Sequence, residues 1–173
     1  MRKKINMMPL LLLGLLALST PALCESNTLG IHNASEFIDF VKSVNGGNDY
    51  EDYTVFLEAT IDLAGHEGAL EPIGKSHSTP FSGVFDGQGY AIGHFVINTT
   101  GRYAGLFGYS KGATIKNIIL SMTDVMNIVG PVDELAQLHA GGIIGRCEIL
   151  SKPCLIENNV NLANVTFTGA ASS

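Results

Sequence analysis

Gly83-Val84-Phe85-Asp86-Gly87, Gly105-Leu106-Phe107-Gly108 and Gly142-Ile143-Ile144-Gly145 are three versions of one phrase, and their reading decides the fold. Each is followed by a polar or glycine-containing turn and then a short β-branched run, at residues 91–97, 114–120 and 155–162. A unit this short cannot bury its own apolar face, so it must stack on its neighbours. The expected architecture is an all-β solenoid. Laying the phrases over one another leaves 22 residues between Gly83 and Gly105 and 37 between Gly105 and Gly142. The longer interval holds either an extra degenerate rung or a loop over residues 127–137, around Gly130-Pro131.

Upstream of the phrases, Thr54-Val55-Phe56-Leu57 and Thr60-Ile61-Asp62-Leu63 read as short strands separated by Glu58-Ala59. No helical pattern lies between consecutive strands, which favours stacked rungs over βαβ units. Residues 25–50 differ. Asn33-Ala34-Ser35-Glu36 forms a capping box, Phe37, Phe40, Val41 and Val44 follow at helical spacing, and Asn45-Gly46-Gly47 stops the run. The expectation is one amphipathic helix whose apolar face covers the open first rung.

The first 24 residues read as a secretory signal. Arg2, Lys3 and Lys4 form a basic start, residues 10–18 an apolar run too short to span a bilayer, and Ala22-Leu23-Cys24 a cleavage site. Acylation of Cys24 is the alternative, although Leu23 is bulkier than a lipoprotein signal prefers. The organisation is then a signal peptide at 1–24, an N-terminal strand and capping helix at 25–50, rungs at 51–169 and a tail at 170–173. Cleavage leaves seven Lys and Arg against 16 Asp and Glu, a formal charge of −9. An acidic surface repels phosphate backbones, so no nucleic-acid partner is expected. No second apolar stretch of spanning length follows the signal.

Cys147 and Cys154 flank residues 148–153. In an oxidising compartment the pair is expected to close a disulfide; the alternative is two reduced thiols packed in the wall. Asn33, Asn98 and Asn164 each open an Asn-x-Ser/Thr triplet and are glycosylation acceptors in a eukaryotic host. Asn98, read at a strand end, is the best placed, while Asn33 is wanted for capping.

Superposed runs put His94, Asn117 and Asn158 at one position, two residues after Ile92, Ile115 and Ile156. In a parallel stack such side chains can form a hydrogen-bonded ladder, a structural role. Asp62, Glu67, Glu71 and Asp86 are the carboxylates that glycoside cleavage or a calcium ion would use. Asp62 and Asp86, however, fall in turn phrases where aspartate caps amides, and no Asp-x-Asp-x-Asp-Gly run occurs. His66-Glu67 lacks the second histidine of a zinc protease helix, and no Gly-x-Ser-x-Gly exists. No catalytic residue, metal ligand or cofactor is assigned. If sugars bind, exposed aromatics should line one face, with Tyr90, Tyr103 and Tyr109 as candidates.

With these motifs in order, the chain resembles the glycine-rich β-helix proteins named for the GLUG motif. The resemblance rests on the helix with Asn45-Gly46-Gly47, Val55-Phe56-Leu57, Ile61-Asp62-Leu63, Pro72-Ile73-Gly74, the phrases at 81–87 and 105–108, Ile115-Lys116-Asn117, and a further repeat at 141–145 with Ile156-Glu157-Asn158. It implies a right-handed parallel β-helix in adhesin-like secreted or surface-attached proteins, and it carries no catalytic residue over. The expected function is a secreted or cell-surface module that binds an extracellular protein or glycan. The alternative is a carbohydrate-active enzyme, a polysaccharide lyase or glycoside hydrolase, with charged side chains converging in a cleft. The resemblance further implies more repeats than this chain holds, so its final rung is expected to lie open.

Overall fold

The computed structural model describes residues 27–66, 70–99, 101–121, 125–129, 138–149 and 151–168. The signal segment, Cys24, Glu67, residues 130–137 and the tail lie outside the described residues.

After strand β1 (Asn27–Ile31) comes the single helix, α1 (Ala34–Asn45). Its start follows from Asn33, whose side chain accepts from the Glu36 N–H at 3.0 Å, while Glu36 reaches back to the His32 N–H at 2.8 Å. Its stop is Gly46, bonded to Lys42 and Ser43 carbonyls, followed by Gly47 in the left-handed region at φ 108°. The apolar stripe of Phe37, Ile38, Phe40, Val41 and Val44 is buried. Phe40 packs its ring against Phe37, Tyr50, Phe81 and Phe85 at centroid distances of 5.2 to 6.4 Å. Asn45 then clips the helix end to the next segment: its carbonyl accepts from the N–H of Gly74 and Lys75, and its amide donates to Pro72 O.

The remaining described elements are strands: β2 (Tyr53–Leu57), β3 (Ile61–Asp62), β4 (Val84–Asp86), β5 (Ala91–Gly93), β6 (Val96–Thr99), β7 (Tyr103–Ala104) and β8 (Phe107–Lys111), then β9 (Thr114–Lys116), β10 (Ile119–Leu120), β11 (Val125–Val129), β12 (His139–Ala140), β13 (Ile144–Glu148), β14 (Leu155–Glu157), β15 (Val160–Asn161) and β16 (Asn164–Thr168). They form five parallel stacks: β1-β2-β4-β9-β14, β3-β5-β10-β15, β6-β11-β16, β7-β12 and β8-β13. The chain visits the stacks in the same order on each pass. Bridges from Leu70 to Ile97, Ile73 to Phe107 and Phe81 to Ser110 supply the first pass where no full strand forms. In the first stack Thr54, Val84, Thr114 and Leu155 pair in succession, 30, 30 and 41 residues apart.

Register decides which side chains meet. Val55, Phe85, Ile115 and Ile156 form one file, and Ile61, Ile92, Leu120 and Asn161 another. The first three members of each file are fully buried, and these shared interior files hold the passes together through loss of apolar surface to water.

Three expectations are corrected. The phrase at 83–87 does not stack on the phrase at 105–108. Val84, Phe85 and Asp86 pair with Thr114, Ile115 and Lys116, whereas Phe107 pairs with Ile144 and bridges Ile73. The true first-pass counterpart of 105–108 is therefore Pro72-Ile73-Gly74. The runs at 91–97, 114–120 and 155–162 are also each two strands, bent at His94, Asn117 and Asn158 and sent into different stacks. Residues 127–129 continue strand β11, so the expected loop over 127–137 does not begin at Asn127.

Two of the recurrent glycines show why that residue is required. A Cβ on Gly83 would strike the carbonyl oxygens of Tyr50 and Tyr53, a collision of backbone with backbone. Gly74 combines φ 71° with equally close approach to Tyr109 O.

Candidate functional site

The bends are built by one local device. His94, Asn117 and Asn158 have φ of 58°, 56° and 51°, the left-handed region that asparagine tolerates better than most residues. Their recurrence two residues after an isoleucine reflects this shared backbone state. They do not share one file: Asp62 pairs with Gly93, so His94 follows the second stack, while Asn117 and Asn158 follow the first. No hydrogen bond links the three to one another among the described residues.

Each of the first two bonds instead to an aspartate one pass earlier. His94 Nδ1 lies 2.8 Å from Asp62 Oδ1, and Asn117 Nδ2 donates to Asp86 Oδ1 at 2.9 Å. The same carboxylates accept from the backbone two residues on, Asp62 from Ala64 N–H and Asp86 from Gln88 N–H. The Ala64 N–H and then His94 hold the Asp62 carboxyl below its ordinary range. For Asp86 burial opposes the charge, but Asn117, the Gln88 N–H and Lys116 together outweigh it and hold that carboxyl low as well. Next to Asn158, Asn159 is a residue the sequence reading missed. Its side chain accepts from Ile118 N–H and donates to Ile115 O, both at 3.0 Å, tying the last described pass to the one before.

Beside this corner lies an open hollow of about 510 Å³, lined by Asp86, Gln88, Gly89, Asn117, Ile119, Asn158 and Val160. It offers one carboxylate, where glycoside cleavage uses two. A second hollow of about 450 Å³ lies between β1 and α1, with His32, Glu36 and Asp39 on its rim. His32 is clamped there, Nδ1 at 3.0 Å from Glu36 and Nε2 at 2.6 Å from Glu58. The hydrogen bond to Glu36 and the charge of Glu58 raise the His32 pKa, and the His32 N–H and ring lower that of Glu36.

The densest polar cluster lies on the wall made by β7, β8, β12 and β13. Pairing sets Tyr103 beside His139, Tyr109 beside Arg146 and Lys111 beside Glu148. Tyr103 and His139 stack at 5.7 Å and 17°, and Tyr103 meets Tyr109 edge-on at 4.7 Å. The Arg146 guanidinium lies 5.9 Å from the Tyr109 ring centre and donates from Nη1 to His139 Nε2 at 3.3 Å. Tyr109 donates its hydroxyl to Glu148, and His77, from the loop at 75–80, packs edge-on against Tyr109 at 5.4 Å. Burial first, and Glu148 next, push the Tyr109 pKa up to about 12. The Tyr109 hydroxyl in turn lowers that of Glu148.

The expected aromatic face is thus only partly assembled. Tyr103 is half-buried, Tyr109 is 1% exposed beneath His77, and Tyr90, 38% exposed, stands at the turn between β4 and β5. Arg146, Glu148, His139 and His77 were not read from the sequence. The available signal was the alternation of Arg146 and Glu148 on one face of a strand.

Cys147 and Cys154 stand at disulfide distance, with Cα atoms 6.3 Å apart, and fasten the end of β13 to the start of β14. Asn33 is exposed and occupied in capping, Asn164 is exposed at the start of β16, and Asn98 lies within β6. No described helix is long and apolar enough to cross a membrane, and no group of three or more His, Cys, Asp or Glu among the described residues is arranged to hold a metal ion. No family model, curated protein or solved structure matches this chain.

Proposed function

We propose that this chain is a secreted or cell-surface module of the GLUG-motif kind, wound as a right-handed parallel β-helix, that binds an extracellular protein or glycan and does not cleave it. The observation that carries the reading is the state of its carboxylates. Among the described residues, every aspartate or glutamate whose proton affinity is displaced, at positions 36, 62, 86 and 148, is displaced downward. A glycosidase acid needs the opposite shift, because it must hold a proton near neutrality until the leaving oxygen takes it. These four are instead engaged with backbone amides, a histidine, an asparagine or a tyrosine hydroxyl.

The parallel stacks visited in constant order support the β-helix reading. The basic and apolar leader and the cysteine pair support passage through an oxidising compartment.

Two measurements test the proposal. Expressed with its own leader, the product recovered outside the cytoplasm should begin at Glu25; a product retained with Met1 overturns the secretory part. Incubated with pectin, alginate, xylan and chitin, the purified chain should release no reducing ends or unsaturated products above buffer. Release from any of them overturns the non-catalytic part.

A further inference from the structure

The cations of this chain are not distributed alike. Lys42, Lys75, Lys116 and Lys152 each face a carboxylate within 4 Å: Asp39, Glu71, Asp86 and Glu51. The other three of the secreted part are Arg102, Lys111 and Arg146. None of them has a carboxylate at ion-pair distance among the described residues; Arg146 lies against the Tyr109 ring, Lys111 ends the strand that carries Tyr109, and Arg102 precedes Tyr103. Arg102 directly precedes Tyr103 and is exposed, its carbonyl accepting from the His139 N–H at 2.8 Å. His77 and His139 stand on the same wall.

An acidic chain would neutralise these cations cheaply with its own carboxylates, as it does everywhere else. The one acid within the cluster, Glu148, accepts the Tyr109 hydroxyl, stands 3.8 Å from His77 and feels the charges of Lys111 and Arg146 without an ion pair to either. Of the donors on the Arg146 guanidinium, one is used on His139, and cation–π contact with Tyr109 holds the plane in place. A fixed guanidinium with spare donors is matched to the two oxygens of a carboxylate or sulfate.

We infer that the wall of Arg102, Lys111, His139 and Arg146 is a binding site for an acidic polysaccharide, held through the carboxylate or sulfate groups of its sugars. The inference deepens the binding-module reading and rests on it. Pairing favours a polymer over an isolated anion. The groups that could meet such a chain come from successive passes, His77 from the first, Arg102 and Lys111 from the second, and His139 and Arg146 from the third. Paired strands lie ~4.8 Å apart, a spacing close to the length of one pyranose, so a sugar chain along the wall brings one acid to each pass.

The test measures binding of oligogalacturonate, a heparin oligosaccharide, maltohexaose and poly-glutamate to the secreted chain by calorimetry at fixed salt. At least one of the two acidic sugars should bind, maltohexaose should not, and Arg146→Ala should weaken binding by about tenfold or more. Lys42→Ala, which removes an ion-paired cation on α1, should change it less than about twofold. Binding of oligogalacturonate alone assigns carboxylate recognition, and binding of heparin alone assigns sulfate. Arg146→Gln and the melting midpoints of all variants separate a lost contact from a lost fold.

The inference is overturned if neither acidic sugar binds more tightly than maltohexaose. It is also overturned if poly-glutamate binds as tightly, or if the Arg146 and Lys42 variants lose affinity equally. A protein or neutral glycan that binds with all three wall cations replaced would sink this site while leaving the module reading intact.

Discussion

The two ends of the molecule treat the same kind of residue in opposite ways. At the N-terminal end α1 lies over the first passes, and Phe37, Phe40 and Val44 are 0%, 3% and 0% exposed. At the other end Ile156, Leu162 and Val165 are 43%, 50% and 43% exposed. Ile156 shares a file with Val55, Phe85 and Ile115, all at 0%. Exposure here is set by place in the stack and not by residue type. The open end makes a polar concession: Asn161 stands in the file of Ile61, Ile92 and Leu120, and its side chain accepts from Ala163 N–H. The helix contributes a ready apolar cover, whereas among the described residues no strand pairs with the outer edges of β14, β15 and β16.

The sharpest way to break this comparison is to delete one large side chain at each end. Phe40→Ala empties a site surrounded by four aromatic rings and should cost about 3–5 kcal/mol in urea denaturation. Ile156→Ala, already half in water, should cost under about 1 kcal/mol. Equal losses would mean the last pass is covered in solution. Next in size is the cysteine pair. Replacing both Cys147 and Cys154 by serine should cost at most about 2–3 kcal/mol. Its effect should be confined to one end, with faster amide exchange in β14 to β16 and unchanged exchange in α1. Uniform exchange in both would show a single cooperative unit with no separate ends.

Gly83→Ala tests the close approach beneath the helix. The added methyl meets backbone that cannot swing aside, so a loss of roughly 1–3 kcal/mol is expected by thermal melting. A neutral result would show that the segment at 50–53 gives way. A smaller effect belongs to Asn33→Ala, which removes the helix cap and should cost about 1 kcal/mol.

The smallest expected change is with pH, and it also belongs to the capped end. The folded state raises the His32 pKa above 6.5, so the clamp to Glu36 and Glu58 is fully present below 6.5. It is lost as pH rises through the raised folded value. Glu36 works from the other side: its lowered pKa gives stability present above 4.5 and lost as pH falls through the folded value. Amide exchange in α1 should therefore quicken as pH is raised from 6 toward 8, after correction for intrinsic chemistry. His32→Ala should abolish that trend. A trend that survives the substitution would assign it to another group.

How legible all this was in the sequence follows the range of the forces concerned. The helix was readable with both its caps, because Asn33 and Glu36 act on each other three residues apart and Gly47 acts on the turn just before it. The repeat was readable as repetition but not as register. Gly-x-Phe at 83–85 and at 105–107 look alike, yet pairing across about thirty residues puts them in different stacks. Likewise His94 resembles Asn117 because both need a left-handed backbone, not because they touch. Of the wall, only Tyr103 and Tyr109 could be flagged by residue type. Arg146 and His139 reach them through strand pairing over 36 or 37 positions, and His77 through a loop folded back over Tyr109. No local pattern encodes such convergence.

The unequal spacing of the passes has a practical side. From β6 to β11 the paired positions are 29 apart, yet 36 from β7 to β12 and 41 from β9 to β14, and pairing resumes in step each time. The connections after β11 and after β13 have thus absorbed added length without shifting a single partner downstream. A foreign epitope spliced into the connection after β13 would be held as cargo between Cys147 and Cys154, leaving the ladder on both sides to close as before.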